Sequence, residues 1–107
     1  ICDKLGISAL VETHDAQEMQ SAVQAGARLI GVNNRNLKDF TVDLGNAAKL
    51  RNGAPKGTVF VAESGVSSPE DAAALRRTGA DAILVGEYLM RASDKKQALN
   101  ALREVAK

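Results

Sequence analysis

TVFVAESG, residues 58–65, is an apolar run that ends abruptly in two polar residues and a glycine. Its first five residues are rich in β-branched side chains, and apolar and polar positions do not strictly alternate along them. A strand that is buried on both faces has this pattern, which is typical of parallel sheets. We therefore predict a parallel strand over residues 58–62, followed at its carboxyl end by Glu63, Ser64 and Gly65.

Three further runs of the same kind lie elsewhere in the chain, at residues 7–11, 29–32 and 82–85. Amphipathic stretches separate the runs, and several of them begin with residues that favour helix N-caps, namely Asp15, Asp43 and Ser67 or Ser68. The predicted helices span residues 15–25, 43–51, 67–78 and 95–106. Residues 1–5 are predicted to be the tail of a preceding helix.

The order of elements is therefore βαβαβαβα in a single domain, residues 1–107, with right-handed parallel crossovers. A weak internal repeat supports this order, because the pattern Gly-Ala-x-x-Ile-x-Val occurs at residues 26–32 and again at residues 79–85. In parallel α/β folds the functional groups lie at the carboxyl ends of the strands, where loops and helix N-termini converge. The polar residues after each run are therefore the candidate site.

The amino-acid composition argues against several classes of function. Lysine and arginine number 14 against 13 aspartate and glutamate, which gives a net charge of +1 and argues against a broad nucleic-acid or anionic-membrane surface. No apolar run approaches the roughly 20 residues of a membrane span, and no secretory leader is visible. With one cysteine, Cys2, and one histidine, His14, we expect a reducing compartment, no internal disulfide and no Cys/His zinc site.

Two strand ends carry side chains suited to proton transfer or substrate binding. Glu12 directly follows an apolar run, so it is either a general base or acid tuned by partial burial, or a solvated carboxylate that pairs with an arginine or caps a helix. Asn33 is the first residue beyond its run and is predicted to bind a substrate hydroxyl, with Arg35 meeting an anion. We interpret His14 as a surface or capping residue, and Asn34 and Asn36 as turn residues.

The other two strand ends carry glycines. Gly65, beside Ser64, and Gly86 follow consecutive βα units, and paired glycines at such positions can form a phosphate cup of backbone amides. The alternative is two ordinary turns. The sequence contains neither the GxxxxGK[ST] phosphate loop nor the GxGxxG fingerprint.

Four motifs together carry a resemblance to a known family. They are LVETHD (10–15), LIGVNNRNLKDFTVD (29–43), VAESGVSSPED (61–71) and ADAILVGEYLM (80–90). In this order and spacing they resemble indole-3-glycerol phosphate synthase, a lyase and decarboxylase of tryptophan biosynthesis. That family folds as a TIM (βα)8 barrel, and this chain resembles its strands five to eight. The resemblance thus implies a (βα)4 half of a TIM barrel.

The resemblance also implies roles for individual residues. Glu12 matches the general base or acid, and Asn33 a second residue at the reacting substrate. Arg35 and Glu63 match substrate contacts. The phosphate-binding positions correspond to Ser64, Gly65, Gly86 and Glu87. The implied reaction closes the indole ring of 1-(2-carboxyphenylamino)-1-deoxyribulose 5-phosphate with loss of carbon dioxide and water, in the cytoplasm and without metal or organic cofactor.

The resemblance does not extend to the family's early strands, which supply its catalytic lysines. We therefore expect the isolated chain to be inactive. Four strands cannot close a barrel of normal tilt, so we expect completion by a second copy of the chain or by the missing N-terminal half. A second interpretation is a non-catalytic phosphate-binding half-barrel dimer. A third, a response-regulator-like domain, is disfavoured because only four strands are visible and Glu12 has only Asp15 nearby.

Overall fold

A computed structural model describes residues 1–35 and 41–105 of the chain. Four strands and six helices occupy these ranges. The strands are β1 (Val11–Thr13), β2 (Leu29–Asn33), β3 (Val59–Glu63) and β4 (Ala82–Leu84). The helices are α1 (Cys2–Leu5), α2 (Ala16–Gln24), α3 (Gly45–Arg51), α4 (Pro69–Arg77), α5 (Glu87–Arg91) and α6 (Lys95–Val105).

The four strands form one sheet in the order β1-β2-β3-β4, and every pairing is parallel. This confirms the parallel architecture predicted from the apolar runs. The register aligns the polar strand ends, because Glu12 lies opposite Gly31 and Asn33 lies opposite Glu63. The sheet itself therefore brings the candidate side chains to one edge.

Within residues 1–35 and 41–105 the helices cover one face of the sheet. Phe60 and Ile30 are fully buried on that face and pack against α2, α3 and α4 in a cluster that also contains Met19, Leu50 and Leu75. On the opposite face Leu10, Val59 and Leu84 are 41%, 44% and 55% exposed. Because side chains alternate between the two faces of a strand, the described residues form an open half-barrel with one helical layer.

The first strand lies further along the chain than predicted. The apolar run at residues 7–11 was expected to form it, but only Val11 belongs to β1. The register pairs Val11 with Ile30, so residues 7–9 would lie opposite residues 26–28, where the chain turns with Gly26 at φ 83°. Without a strand partner there, Ile7 stays exposed and the pairing begins at Val11.

The predicted caps of two helices are confirmed. Asp15 caps α2 by accepting the backbone N–H of Glu18 at 2.8 Å. Ser68 caps α4 by accepting the N–H of Asp71 at 3.3 Å, with Pro69 in the first turn. Each cap satisfies a backbone N–H in the first turn of a helix that follows the carboxyl end of a strand, β1 for α2 and β3 for α4.

Two helices differ from the prediction. Helix α3 begins at Gly45 rather than at Asp43, whose carboxylate accepts the Gly45 N–H at 2.9 Å in the turn before the helix. Helix α5 was not predicted, because the alternating pattern implied one helix after each strand.

Within the described ranges the longest helix, α6, has 11 residues, and none is both long and apolar enough to cross a membrane.

Candidate functional site

Three of the predicted residues meet at the carboxyl ends of β1, β2 and β3. Asn33 donates a hydrogen bond from Nδ2 to Oε1 of Glu12 at 2.6 Å. Glu63 lies opposite Asn33 in the strand register and also contacts the Glu12 carboxyl group. We name Glu12, Asn33 and Glu63 the carboxyl cluster.

A glycine makes room for this cluster. A Cβ atom at Gly31 would lie 2.4 Å from Oε1 of Glu63, so the carboxyl group of Glu63 occupies the space that any side chain at this position would need. Gly31 was not among the predicted site residues. The available signal was a glycine in the interior of an apolar strand, which often marks a close approach of another group.

Burial changes the chemistry of Glu63. The residue is 5% exposed, and this burial is the main cause that raises its pKa from 4.5 to about 7. The neighbouring Glu12 raises the pKa further by its charge and by a hydrogen bond, while His14 lowers it. Two carboxyl groups in contact favour sharing one proton. Near neutral pH the cluster can therefore both donate and accept a proton.

This shift predicts a pH dependence of stability. A carboxyl group with a raised pKa in the folded state holds a proton that the unfolded chain has released, so folding loses this contribution as the pH rises. We expect the free energy of unfolding to fall between about pH 4.5 and about pH 7 and to level off above that. Urea denaturation across this range, compared with a Glu63→Gln variant that lacks the slope, measures the effect. Equal slopes in both proteins would contradict it.

His14 stands beside the carboxyl cluster. Its Nδ1 lies 3.1 Å from Oε2 of Glu18, and its backbone N–H donates to the same oxygen at 2.8 Å. Its Nε2 lies 3.8 Å from Oε1 of Glu12. The interpretation of His14 as a surface or capping residue is therefore incomplete, because the ring bridges a helix start and the cluster.

The other predicted residues lie around a neighbouring cavity of about 820 Å³. Its lining includes Arg35, Ser64, Gly65, Gly86 and Glu87. The structure thus divides the eight predicted residues into the carboxyl cluster and this group, which we call the glycine-lined cavity. A hydrogen bond of 2.9 Å from the Arg35 backbone N–H to Oδ1 of Asn33 joins the two.

The backbone of the cavity adopts conformations that favour glycine. Gly65 has φ 88°, and a Cβ atom there would lie 2.5 Å from Cγ1 of Val42. Ser64, the preceding residue, has φ 66° although it is not a glycine. At Gly86 a Cβ atom would meet nothing within 4 Å, so this side of the cavity is open.

Charged groups at the cavity largely offset one another. Glu87 accepts from Arg35 at 3.3 Å and from Arg91 at 2.8 Å. The backbone N–H of Ser67 holds the pKa of Asp71 below its usual value, and the Ser67 hydroxyl adds a second hydrogen bond. The Nε of Arg35 is buried and makes no hydrogen bond to the residues that the structure describes. The described residues therefore account for the guanidinium contact with Glu87 but not for this N–H group.

Asn34 has a structural role that the turn interpretation missed. It is 3% exposed, donates from Nδ2 to the carbonyl of Ser64 at 3.3 Å and accepts the N–H of Ala47 at 3.2 Å. These bonds fix the Ser64 loop against α3.

Asn36 and the rest of the motif at residues 36–40 lie outside the described residues. In the part of the chain that is described, no three His, Cys, Asp or Glu side chains are grouped to hold a metal ion.

Comparison with known proteins identifies relatives. The family model of indole-3-glycerol phosphate synthase matches residues 1–102. The indole-3-glycerol phosphate synthase of Lachnoclostridium phytofermentans is 51% identical over 98% of this chain and 39% of that protein. That of Ruminiclostridium cellulolyticum is 52% identical over 96% of this chain and 40% of that protein. The chain therefore spans about two fifths of the length of these relatives.

Solved structures show the same fold. Thiamine phosphate pyrophosphorylase from Pyrococcus furiosus superimposes with a TM-score of 0.78 at 24% identity, over 94% of this chain and 48% of that one. This likeness concerns the fold alone, a (βα)4 half of a TIM barrel. With the family match over nearly the whole sequence, the chain belongs to the indole-3-glycerol phosphate synthase family, in which it corresponds to the C-terminal half.

Proposed function

We propose that this chain supplies the phosphate-binding and proton-transferring half of an indole-3-glycerol phosphate synthase active site. The observation that carries the proposal is the carboxyl cluster beside a glycine-lined cavity, in a chain of this family. The substrate would be 1-(2-carboxyphenylamino)-1-deoxyribulose 5-phosphate, and the products indole-3-glycerol phosphate, carbon dioxide and water. The reaction would take place in the cytoplasm without a metal or organic cofactor.

The glycine-lined cavity is suited to the phosphate group of this substrate. Gly65 and Gly86 bear no side chains that would keep a ligand from the backbone, and Ser64 adds a hydroxyl. Arg35 brings a positive charge, and its Nε makes no hydrogen bond to the described residues, although Glu87 competes for its guanidinium group. Bidentate arginine contacts are among the strong interactions that proteins make with phosphate. Binding there would place the reacting end of the substrate toward Asn33, which the Arg35 backbone contacts.

The carboxyl cluster is suited to the proton transfers of ring closure. Loss of carbon dioxide restores the benzene ring, and loss of water then requires a proton for the departing hydroxyl and removal of a proton as the double bond of the five-membered ring forms. Glu63, which contacts Glu12, has a pKa raised to about 7 and can release a proton near neutral pH. Asn33, bonded to Glu12, fixes the orientation of its carboxylate and can contact a substrate hydroxyl. The family's catalytic lysines would come from the other half.

A chimeric enzyme tests this proposal. In it, this chain replaces the matching segment of the Lachnoclostridium phytofermentans enzyme, to which it is 51% identical. We expect the chimera to form indole-3-glycerol phosphate, detected by indole fluorescence, and the isolated chain to show no turnover. A folded chimera without turnover, beside an active parent enzyme, would contradict the proposal. Turnover by the isolated chain would show that lysines from another half are not needed.

A second candidate function is a non-catalytic phosphate-binding half-barrel dimer. It is favoured by one observation: the glycine-lined cavity is built from residues of this chain, while the apolar face with Leu10, Val59 and Leu84 is exposed. Two copies joined at the β1 and β4 edges would bury that face. Sedimentation equilibrium of the isolated chain, combined with titration of inorganic phosphate, tests it. A monomer, or a dimer without phosphate affinity, would exclude this function.

A further inference from the structure

Beyond the last residues that pair β1 with β2, a side chain from α3 joins the two strands. The parallel register of these strands ends with Thr13 opposite Val32. One residue further, Nδ2 of Asn46 donates to the carbonyl of His14 at 3.1 Å and to the carbonyl of Asn33 at 3.3 Å. A side-chain amide has two N–H groups, so it can serve both carbonyls at once. Asn46 thus links the two strands where their backbone pairing ends.

This link lies next to a contact that the proposed chemistry needs. The side chain of Asn33, in β2, donates to Oε1 of Glu12, in β1, at 2.6 Å. The register places Glu12 opposite Gly31, so this bond runs diagonally between the strands. Diagonal neighbours lie about 7–8 Å apart, and adjacent strands are rotated by roughly 20–25°, so their ends move apart once the backbone bonds stop. The bond between Asn33 and Glu12 is therefore sensitive to the separation of the two strand ends.

The start of α3 is fixed to the sheet by other contacts. The buried Asn34 accepts the backbone N–H of Ala47 on Oδ1 at 3.2 Å, and its carbonyl accepts the N–H of Asp43 at 2.8 Å. Ala47 and Leu50 of the same helix are buried in the core. Asn46 therefore extends from a helix whose position does not depend on its own two bonds alone.

The two bonds of Asn46 do not serve α3 itself. The first turn of a helix needs acceptors for its free backbone N–H groups, whereas Nδ2 is a donor. Asp43 supplies such an acceptor to the N–H of Gly45 at 2.9 Å. Asparagine is also a weaker helix former than alanine. The side chain of Asn46 thus contributes to the contact between the strands rather than to the helix.

We propose that Asn46 is a positioning residue that holds the ends of β1 and β2 at the separation in which Asn33 contacts Glu12. Both of its bonds go to backbone carbonyls, so it acts through the side chains of Asn33 and Glu12 and not on the substrate. The consequence for the reaction rests on the proposed function. The geometry of the bond between Asn33 and Glu12 does not depend on that function.

Nuclear magnetic resonance of the chain labelled with ¹⁵N-asparagine tests the geometry without any activity. A short hydrogen bond moves the donated proton downfield, so we expect one Nδ2 proton of Asn33 to lie far downfield in the wild type. In Asn46→Ala and Asn46→Asp both donors to the carbonyls are lost. We expect the Asn33 proton to return toward the position of a free asparagine amide. Backbone amide spectra report whether each variant is folded.

The two variants have different side effects, and this keeps the test decisive. Asn46→Asp places a negative charge in the first turn of α3, where it stabilises the helix, so we expect this variant to stay folded. Asn46→Ala adds no charge, so an effect common to both variants is due to the loss of the two donors. Asn100→Asp is the matched control, because it makes the same chemical change at an exposed residue on α6. It should leave the Asn33 proton unchanged.

Steady-state kinetics of the chimeric enzyme test the consequence for the reaction. Misplacement of a reacting group by about 1 Å can lower a rate by about 10²-fold, so we expect kcat to fall about 10- to 100-fold in both Asn46 variants. KM should stay within about twofold of the unmodified chimera, since the glycine-lined cavity is untouched. Asn100→Asp should change neither constant.

Several results would overturn the proposal. An Asn33 proton at the same position in the wild type and in folded Asn46→Ala would show that the strand ends do not need this link. A change in Asn46→Asp alone would assign the effect to the added charge. An unchanged kcat in both variants of an active chimera would show that the reaction does not depend on Asn46. A folded, inactive chimera with the expected proton shifts would count against the proposed reaction alone, so the two proposals fail separately.

Discussion

Replacing Glu12 by glutamine is expected to lower kcat of the chimeric enzyme by about 10²- to 10⁴-fold, the range for loss of a general acid–base group. The amide has nearly the shape of the carboxylate and can still accept the hydrogen bond that Asn33 donates at 2.6 Å. It cannot accept or release a proton in the reaction. Since the glycine-lined cavity is untouched, we expect KM for the phosphorylated substrate to change little.

Steady-state kinetics of the chimera measure this effect. Glu70→Gln is the matched control, because it makes the same chemical change at an exposed residue on α4, away from the cluster. A kcat that stays within a few-fold of the unmodified chimera would remove Glu12 from the reaction. A large rise in KM at constant kcat would instead assign Glu12 to substrate binding.

Replacing Phe60 by alanine is expected to destabilise the isolated chain by about 3–5 kcal/mol. Phe60 is fully buried in β3, and the guanidinium carbon of Arg51 lies 5.3 Å from the centre of its ring. The substitution leaves a cavity between the sheet and the helices and removes this cation–π contact. A domain of this size has a total stability of about 5–15 kcal/mol, so much of it would be lost.

Urea denaturation of the chain and its variants measures this loss. Val59→Ala is the matched control, because Val59 is the neighbouring residue on the opposite, uncovered face and is 44% exposed. We expect it to cost well under half of what Phe60→Ala costs. Equal costs would mean that the face with Val59 is covered in solution, as it would be in a dimer. A loss below about 1 kcal/mol for Phe60→Ala would contradict the described core.

The parallel half-barrel was predictable because the strands of a parallel barrel are apolar on both faces, and this composition is retained although the described residues cover only one face of the sheet. Strands such as β3 must be apolar at nearly every position, and the run at residues 58–62 shows this. The position of β1 was not predictable in the same way, because Ile7 and Val11 have the same apolar character. Only the pairing with β2, and the turn at Gly26, decides that the strand begins at Val11.

The candidate site was predictable as a set of strand ends but not as a geometry. Residues such as Glu12 and Glu63 follow apolar runs, so their place at one edge of the sheet follows from parallel pairing. Their mutual contact depends on the absence of a side chain at Gly31, which involves a third strand. The role of Asn34 likewise depends on α3, a partner that local sequence does not indicate.

The left-handed backbone of Ser64 lowers the stability of the chain, while its side chain supplies a hydroxyl for the proposed function. For a residue with a Cβ atom this conformation costs about 1–2 kcal/mol, whereas glycine adopts it freely. A laboratory selection for thermostability alone would therefore favour glycine at this position and discard the hydroxyl beside the proposed phosphate. A selection for more thermostable variants of this chain would therefore need to select for phosphate affinity at the same time. Otherwise the most thermostable variants would bind phosphate more weakly.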